Sequence, residues 1–206
     1  MAVLTPAEAA FPAPAAVSGR TPPCALVIFG ASGDLTARKL LPALGRLAAD
    51  GALAPEVTVI GVARTTMTDD EFRSRCRQAM QAAGPGVDQL ITGARYVTGG
   101  YDDPATYSAL EQLVTELDQH HGTDGNRVYY LATPPRLFGS IAVRLGAAGL
   151  DKPPSGGFAR LVIEKPFGWD EQSARELYAG ISGSSKLAGI GFPSVDCPCF
   201  SAGSGS

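Results

Sequence analysis

Five short apolar runs alternate with amphipathic stretches, and this alternation limits the possible folds more than any other feature of the chain. Each amphipathic stretch carries apolar residues at three- and four-residue spacing, which is typical of a helix packed on one side. Strands that alternate with helices form repeated βα units on a parallel sheet. We therefore predict an α/β fold, a Rossmann-like doubly wound parallel sheet in three α/β/α layers. The predicted strands are 25–29, 57–62, 96–98, 128–132 and 159–164.

Several residues mark where the predicted helices begin and end. Thr68 and Glu71 have the spacing of a capping box, in which each side chain bonds the other residue's backbone. Asp103 is the expected N-cap of a helix that has Pro104 at its first position. Gly51 stands where a C-terminal cap is expected.

The helix after the first strand has an expected buried stripe and a proline. Pro42 is expected to kink it, because proline has no N–H group and its ring crowds the preceding turn. The predicted stripe consists of Leu40, Leu41, Leu44, Leu47 and Ala48.

The βα pattern stops before both ends of the chain. Residues 1–23 are rich in Ala and Pro and are expected to be a disordered leader. Residues 182–206 are dominated by Gly and Ser, so we expect an unstructured or non-native tail there. The predicted domain is 24–181.

Charge and composition exclude several classes of partner and site. A net charge of −3 and a pI near 5.4 provide no broad cationic surface for nucleic acid or an anionic membrane. No apolar run approaches the roughly 20 residues that span a bilayer, so a cytoplasmic protein is expected. The cysteines lack the paired spacing of a zinc site, which predicts reduced thiols and no metal: Cys24, Cys76, Cys197 and Cys199.

The loop after the first strand is a candidate phosphate site. Gly30 would permit a tight turn, and Gly33 would let the backbone approach a phosphate. The helix that follows directs its N-terminal N–H groups and positive dipole end to the same place. The G-x-x-G spacing is looser than the dinucleotide fingerprint, so a plain structural turn is the alternative.

Three charged residues in this loop and helix need separate interpretation. The charge of Asp34 would repel a phosphate, so its expected role is a helix N-cap turned away from the ligand. Arg38 and Lys39 could face phosphates, but solvated positions on the helix surface are the commoner outcome.

The ends of two other strands carry cationic side chains. Arg64 follows the second strand and is succeeded by Thr65 and Thr66, where NAD enzymes usually have an acidic residue for the ribose. A guanidinium with two hydroxyls suits a 2′-phosphate, which favours NADP. Lys165 follows the fifth strand, and Pro166 fixes the backbone after it. This lysine could bridge cofactor and substrate or simply face solvent.

Four segments together resemble the glucose-6-phosphate dehydrogenase family. They are I-F-G-A-S-G-D-L-T-A-R-K-L at 28–40, G-V-A-R at 61–64, Y-Y-L-A-T-P-P at 129–135 and V-I-E-K-P-F-G at 162–168. The resemblance covers roughly 24–181. It implies oxidation of glucose 6-phosphate by NADP to 6-phosphogluconolactone, in the oxidative pentose phosphate pathway, by a homo-oligomeric enzyme.

The resemblance also assigns roles to individual residues. Arg64 would bind the 2′-phosphate and Tyr130 would line the cofactor cleft. Lys165 would contact both the cofactor and glucose 6-phosphate. Tyr101 and Asp102 would lie near the cofactor. The residues that would hold the other NADP phosphates are Gly30, Ala31, Ser32, Gly33, Asp34, Leu35, Thr36 and Ala37.

No catalytic residue is expected in this chain. The family's histidine base lies in an R-I-D-H-Y-L-G-K segment, whereas the histidines here, His120 and His121, are expected to be a solvated pair at a helix end. The chain departs from the family where the substrate segment should begin. We therefore expect that the C-terminal α+β substrate domain is absent and that the chain alone is inactive. The alternative is a non-catalytic NADP-binding module; a P-loop protein is excluded because G-x-x-x-x-G-K-S/T does not follow the first strand.

Overall fold

The computed structural model describes residues 19–84, 86–152 and 156–163. Within them, a π-helical turn (Thr36–Leu40) precedes the first α-helix, and a 3-10 turn (Pro135–Leu137) precedes the fifth. The strands are Ala25–Phe29 (β1), Thr58–Ala63 (β2), Arg95–Thr98 (β3), Arg127–Leu131 (β4) and Ala159–Ile163 (β5). The helices are Leu41–Ala49 (α1), Asp69–Met80 (α2), Asp88–Thr92 (α3), Pro104–His120 (α4) and Phe138–Ala147 (α5).

The five strands form one parallel sheet in the order β3-β2-β1-β4-β5. The chain first builds outward from β1 through β2 to β3, then crosses over and builds outward on the other side. The strand order therefore reverses between β1 and β4. Phe29, the last residue of β1, lies opposite Val62 on one side and Leu131 on the other. The predicted doubly wound α/β fold is confirmed.

β1 is apolar throughout because both of its faces are covered. Ala25, Val27 and Phe29 point to the core under α4 and α5. Ile28 points to the opposite core under α1, α2 and α3. Since successive side chains of a strand alternate between faces, a strand between two helical layers requires an unbroken apolar run. The three predicted layers follow.

The predicted helix boundaries are confirmed where side chains or glycine define them. The Thr68 hydroxyl accepts from the Glu71 N–H, and the Glu71 carboxylate accepts from the Thr68 N–H. The Asp103 side chain accepts from the Ala105 N–H at the start of α4. Gly51 follows α1 at a φ of +68°, a conformation that favours glycine.

The first helix begins with a π turn, and its buried stripe differs from the prediction at one residue. The proline is accommodated by the π turn, in which the Leu41 N–H bonds the Thr36 carbonyl before Pro42 enters α1. The predicted burial of Leu47 is wrong, because 44% of this residue is exposed. Gly45 is buried instead, against Met80 of α2. The short helix α3 was not predicted.

The described cysteines are buried free thiols, as predicted. Burial raises the pKa of Cys24 to about 11 and that of Cys76 to about 12. Both are therefore protonated at neutral pH. Cys197 and Cys199 lie outside the described residues.

The predicted tail and most of the predicted leader lie outside the described residues, as do residues 164–181 of the predicted domain, which include Lys165. The last residues of the predicted leader belong with the domain. The Thr21 N–H bonds the Ala52 carbonyl, and the Asn126 amide donates to the Pro23 carbonyl. None of the helices that the structure describes is long and apolar enough to cross a bilayer.

Gly61, in the middle of β2, provides a test of core packing. A Cβ there would lie 2.7 Å from Phe72 Cζ and 2.8 Å from both Ala31 Cβ and Tyr96 Cδ2. We predict that Gly61→Ala lowers the free energy of unfolding by about 1–3 kcal/mol through overpacking. Gly139→Ala in α5, where nothing lies within 4 Å, should raise it by up to about 1 kcal/mol. Urea unfolding measures both; effects of the same sign would contradict the packing of β2.

The capping box of α2 predicts a pH dependence. Hydrogen bonds from the Thr68 backbone and hydroxyl hold the pKa of Glu71 below its ordinary value of 4.5. A lowered folded-state pKa contributes stability above the unfolded-state pKa, and this contribution is lost as pH falls through the folded-state value. Thermal melts between about pH 7 and about pH 3 should therefore show a smaller pH dependence for Glu71→Gln than for the wild type. Glu111→Gln, an exposed change on α4, should melt like the wild type across the range.

Candidate functional site

The turn after β1 brings the backbones of β1 and β4 together. Gly30 has a φ of +88°, and a Cβ there would lie 2.3 Å from the Ala132 carbonyl oxygen. The N–H groups of Gly30 and Ala31 both donate to the Val62 carbonyl, at 2.9 and 3.3 Å. The turn is thus held between Val62 near the end of β2 and Ala132 just after β4, at the point where strand order reverses. Doubly wound sheets bind ligands at such a point.

The helix that leaves this turn points its N-terminus at the same edge of the sheet. Gly33 N–H donates to the Gly30 carbonyl at 2.9 Å, and the Thr36 hydroxyl donates to the same carbonyl at 3.1 Å. Thr36 is fully buried, so its side chain is an internal brace for the turn. The N–H groups of a first helical turn lack partners within the helix and attract anions.

Asp34 does not cap this helix as predicted. It already lies in the first helical turn, and its carboxylate accepts from Arg38 Nε at 2.8 Å, with both side chains exposed. The i,i+4 spacing brings the two together on one helix face. Part of the negative charge at the helix N-terminus is therefore neutralised locally. Lys39 is also exposed, as expected for a solvated helix charge.

Ser32, Thr65 and Tyr96 form a polar cluster that links the glycine turn to the end of β2. The Thr65 hydroxyl donates to the Ser32 hydroxyl oxygen at 3.1 Å, and the Tyr96 hydroxyl donates to the Thr65 carbonyl at 2.8 Å. Burial raises the pKa of Tyr96, and the nearby Tyr101 adds to the shift. Tyr96 therefore stays neutral and acts as a hydrogen-bonding group.

Arg64 and Tyr101 lie close to one another beside this cluster. Arg64 is exposed at the end of β2. Tyr101 is only 9% exposed, and its ring packs edge-on against Phe29 at 6.1 Å. Burial raises the pKa of Tyr101, while the charge of Arg64 and the backbone of Gly30 oppose that shift. Tyr101 thus forms a wall under the glycine turn.

The remaining predicted residues occupy separate positions. Tyr130 is half-buried on β4, packed against the core under α1 and α2. Asp102 is exposed in the turn before α4. Lys165 lies outside the described residues. His120 and His121 lie at the C-terminal end of α4. Because α4 runs antiparallel to the strands, they lie at the N-terminal ends of the strands, away from the site.

Arg75 was not selected from the sequence, but the structure brings it to the glycine turn. Its NH2 group donates to the Ser32 carbonyl at 2.9 Å from the middle of α2. An arginine on an amphipathic helix usually faces solvent. Only the packing of α2 on the sheet brings Arg75 to Ser32. Tyr96 was predicted as a strand residue only.

Hydroxyls, guanidinium groups and helix N–H groups together make this edge rich in hydrogen-bond donors. Ser32 and Thr65 supply hydroxyls, and Arg64 and Arg75 supply positive charge. Donors with net positive charge suit phosphate groups, because every phosphate oxygen is an acceptor. This arrangement of donors and positive charge can hold a phosphate group.

Comparisons with known proteins match this part of the chain. The sequence profile of a family described as "Glucose-6-phosphate dehydrogenase, NAD binding domain" matches residues 27–186. A glucose-6-phosphate 1-dehydrogenase of Aggregatibacter actinomycetemcomitans is 43% identical over 158 residues, covering 75% of this chain and 32% of that protein. A Mycobacterium bovis protein named glucose-6-phosphate 1-dehydrogenase 2 is 37% identical over 168 residues, covering 78% and 32%.

Solved structures agree with the sequence comparisons. A glucose-6-phosphate dehydrogenase in complex with its substrate glucose 6-phosphate superposes with a TM-score of 0.70 at 30% identity, covering 81% of this chain and 35% of that one. Glucose-6-phosphate 1-dehydrogenase from Mycobacterium avium gives 0.65 at 35% identity, covering 79% and 34%. The chain thus spans about a third of the length of these proteins.

The close approach of Gly30 to β4 can be separated from its left-handed conformation. Gly51 has a similar positive φ but nothing within 4 Å of its hypothetical Cβ. We predict that Gly51→Ala costs about 1–2 kcal/mol of folding stability, the penalty of the left-handed conformation. Gly30→Ala should cost clearly more, because its Cβ meets a backbone carbonyl. Chemical denaturation compares them; equal losses would show that the turn does not press against Ala132.

Proposed function

The chain belongs to the glucose-6-phosphate dehydrogenase family through its NAD-binding domain, and we propose that residues 24–181 bind NADP for that enzyme's reaction. The observation that carries the proposal is the donor-rich edge at the ends of β1 and β2. There Ser32 and Thr65 are hydrogen-bonded to each other, and Arg64 extends the same edge.

The end of β2 favours NADP over NAD. The segment from Arg64 to Thr68 reads R-T-T-M-T and contains no carboxylate to accept from a ribose 2′-hydroxyl. Its donors instead match a 2′-phosphate. The positive charge of Arg64 also reaches Tyr101 beneath the glycine turn, which is consistent with a cationic patch at this edge.

The other residues have proposed roles around the same crevice. The turn from Gly30 to Ala37 holds the remaining phosphates with its backbone and helix N-terminus. Tyr130 on β4, together with Tyr101 and Asp102, borders the cofactor. Lys165 follows β5 in sequence and contacts both cofactor and sugar phosphate. When bound, NADP supplies the acceptor for a hydride.

The whole enzyme would oxidise glucose 6-phosphate to 6-phosphogluconolactone with formation of NADPH, in the cytoplasm and as a homo-oligomer. The relatives named above are dehydrogenases, which favours an enzyme over a non-catalytic NADP-binding module. In this chain the residues described above bind and orient the cofactor.

The cofactor assignment is tested by removing Arg64. Arg64→Ala should weaken NADP binding by about 1.5–3 kcal/mol, the value of a hydrogen bond to a charged group, and hardly change NAD binding. Titration calorimetry on the folded chain measures both constants. Arg46→Ala is the matched control, because it removes an exposed arginine at the far end of α1, and it should change neither. Equal losses of NADP and NAD in Arg64→Ala would contradict the assignment.

A further inference from the structure

Arg75 reaches the proposed cofactor edge from an element that is distant in sequence. It lies in the middle of α2, 43 residues from Ser32, and its NH2 group donates to the Ser32 carbonyl oxygen at 2.9 Å. The side chain is half-buried, lying between α2 and the turn after β1. This single hydrogen bond uses one of the five N–H donors of a guanidinium.

The charge of Arg75 is directed at the Ser32, Thr65 and Tyr96 cluster. Arg75 and the Ser32 side chain both act to lower the pKa of Tyr96, against the larger effect of burial. The Tyr96 hydroxyl bonds the Thr65 carbonyl, and the Thr65 hydroxyl bonds Ser32. One guanidinium from α2 and three hydroxyl-bearing residues from the β1 turn, the end of β2 and β3 are thus brought together.

Among the described residues, Arg75 has no acidic partner, in contrast to Arg73 on the same helix. Arg73 pairs with Asp69 and with Asp70, the latter at 2.8 Å. Within the part of the chain that the structure describes, Arg75 forms no ion pair with a carboxylate. A half-buried cation without an acidic partner beside two hydroxyls favours an external anion, since partial burial weakens the solvation of its charge.

We propose that Arg75 is a second cationic determinant of cofactor choice, which binds the 2′-phosphate of NADP together with the hydroxyls of Ser32 and Thr65. The inference rests on the proposed function and deepens it. Arg64 approaches the phosphate from the end of β2, whereas Arg75 approaches from α2. A guanidinium held by Ser32 is pre-positioned, so less side-chain freedom is lost when the phosphate binds.

The experiment compares two small probes that differ by one phosphate, adenosine 2′,5′-bisphosphate and adenosine 5′-monophosphate. Titration calorimetry on the full chain gives both dissociation constants for the wild type, Arg75→Gln and Arg75→Lys. Arg77→Gln is the control, since it removes the same charge from an exposed position two residues along α2. Circular dichroism checks that each variant is folded. If Arg75→Gln does not fold, Arg75→Lys replaces it in the comparison.

We expect Arg75→Gln to raise the dissociation constant of the bisphosphate about tenfold or more, with that of the monophosphate changed less than about twofold. Arg75→Lys should give an intermediate loss for the bisphosphate, because it keeps the charge but not the planar fork. Arg77→Gln should match the wild type.

Three results would overturn the assignment of Arg75. Equal losses for both probes would mean that Arg75 only fixes the shape of the glycine turn. A bisphosphate preference that disappears in Arg64→Ala but persists in Arg75→Gln would leave the proposed function standing and remove Arg75 from it. A wild-type chain that binds both probes equally would contradict the proposed function itself, and this inference with it.

Discussion

The site depends on the close contact between the turn after β1 and the end of β4. Gly30 passes so near the Ala132 carbonyl that no side chain fits there, and the N–H groups of Gly30 and Ala31 both donate to the Val62 carbonyl of β2. β1 is therefore held on both sides at its last residue. That constraint directs the N-terminus of the following helix to the reversal point of the sheet, where the Thr65 hydroxyl after β2 donates to Ser32.

The charged side chains around this turn are separated by sign. Asp34 is the one acidic residue in the segment from Gly30 to Ala37, and its carboxylate is turned to Arg38 on the outer face of the helix. On the inner side, Arg64 and Arg75 contribute positive charge next to hydroxyl groups. The ion pair of Asp34 and Arg38 thus lies in solvent, while the hydrogen-bond donors lie on the other side of the same turn.

Most of the fold followed from local patterns, and the errors arose where helix packing or the exact end of a turn decided the outcome. The capping residues of α2 and α4 were predictable, because each needs only a side chain and a backbone group a few residues away. The predicted burial of Leu47 was wrong because helical spacing alone does not show which side of an apolar stripe a neighbouring helix covers. Helix α2 packs against Gly45, which leaves Leu47 exposed. Asp34 lies one residue past the N-cap position predicted for it, because the turn ends at Gly33.

The sequence alone determined the parallel α/β architecture, the glycine turn and the arginine at the end of β2. It could do so because buried strands require continuous apolar runs and tight turns require glycine, and both are legible in neighbouring residues. The tertiary structure alone decided that Tyr101 supports the turn from below and that Arg75 touches Ser32. These contacts join residues far apart in the chain, so they exist only after α2 and the loop after β3 have packed on the sheet.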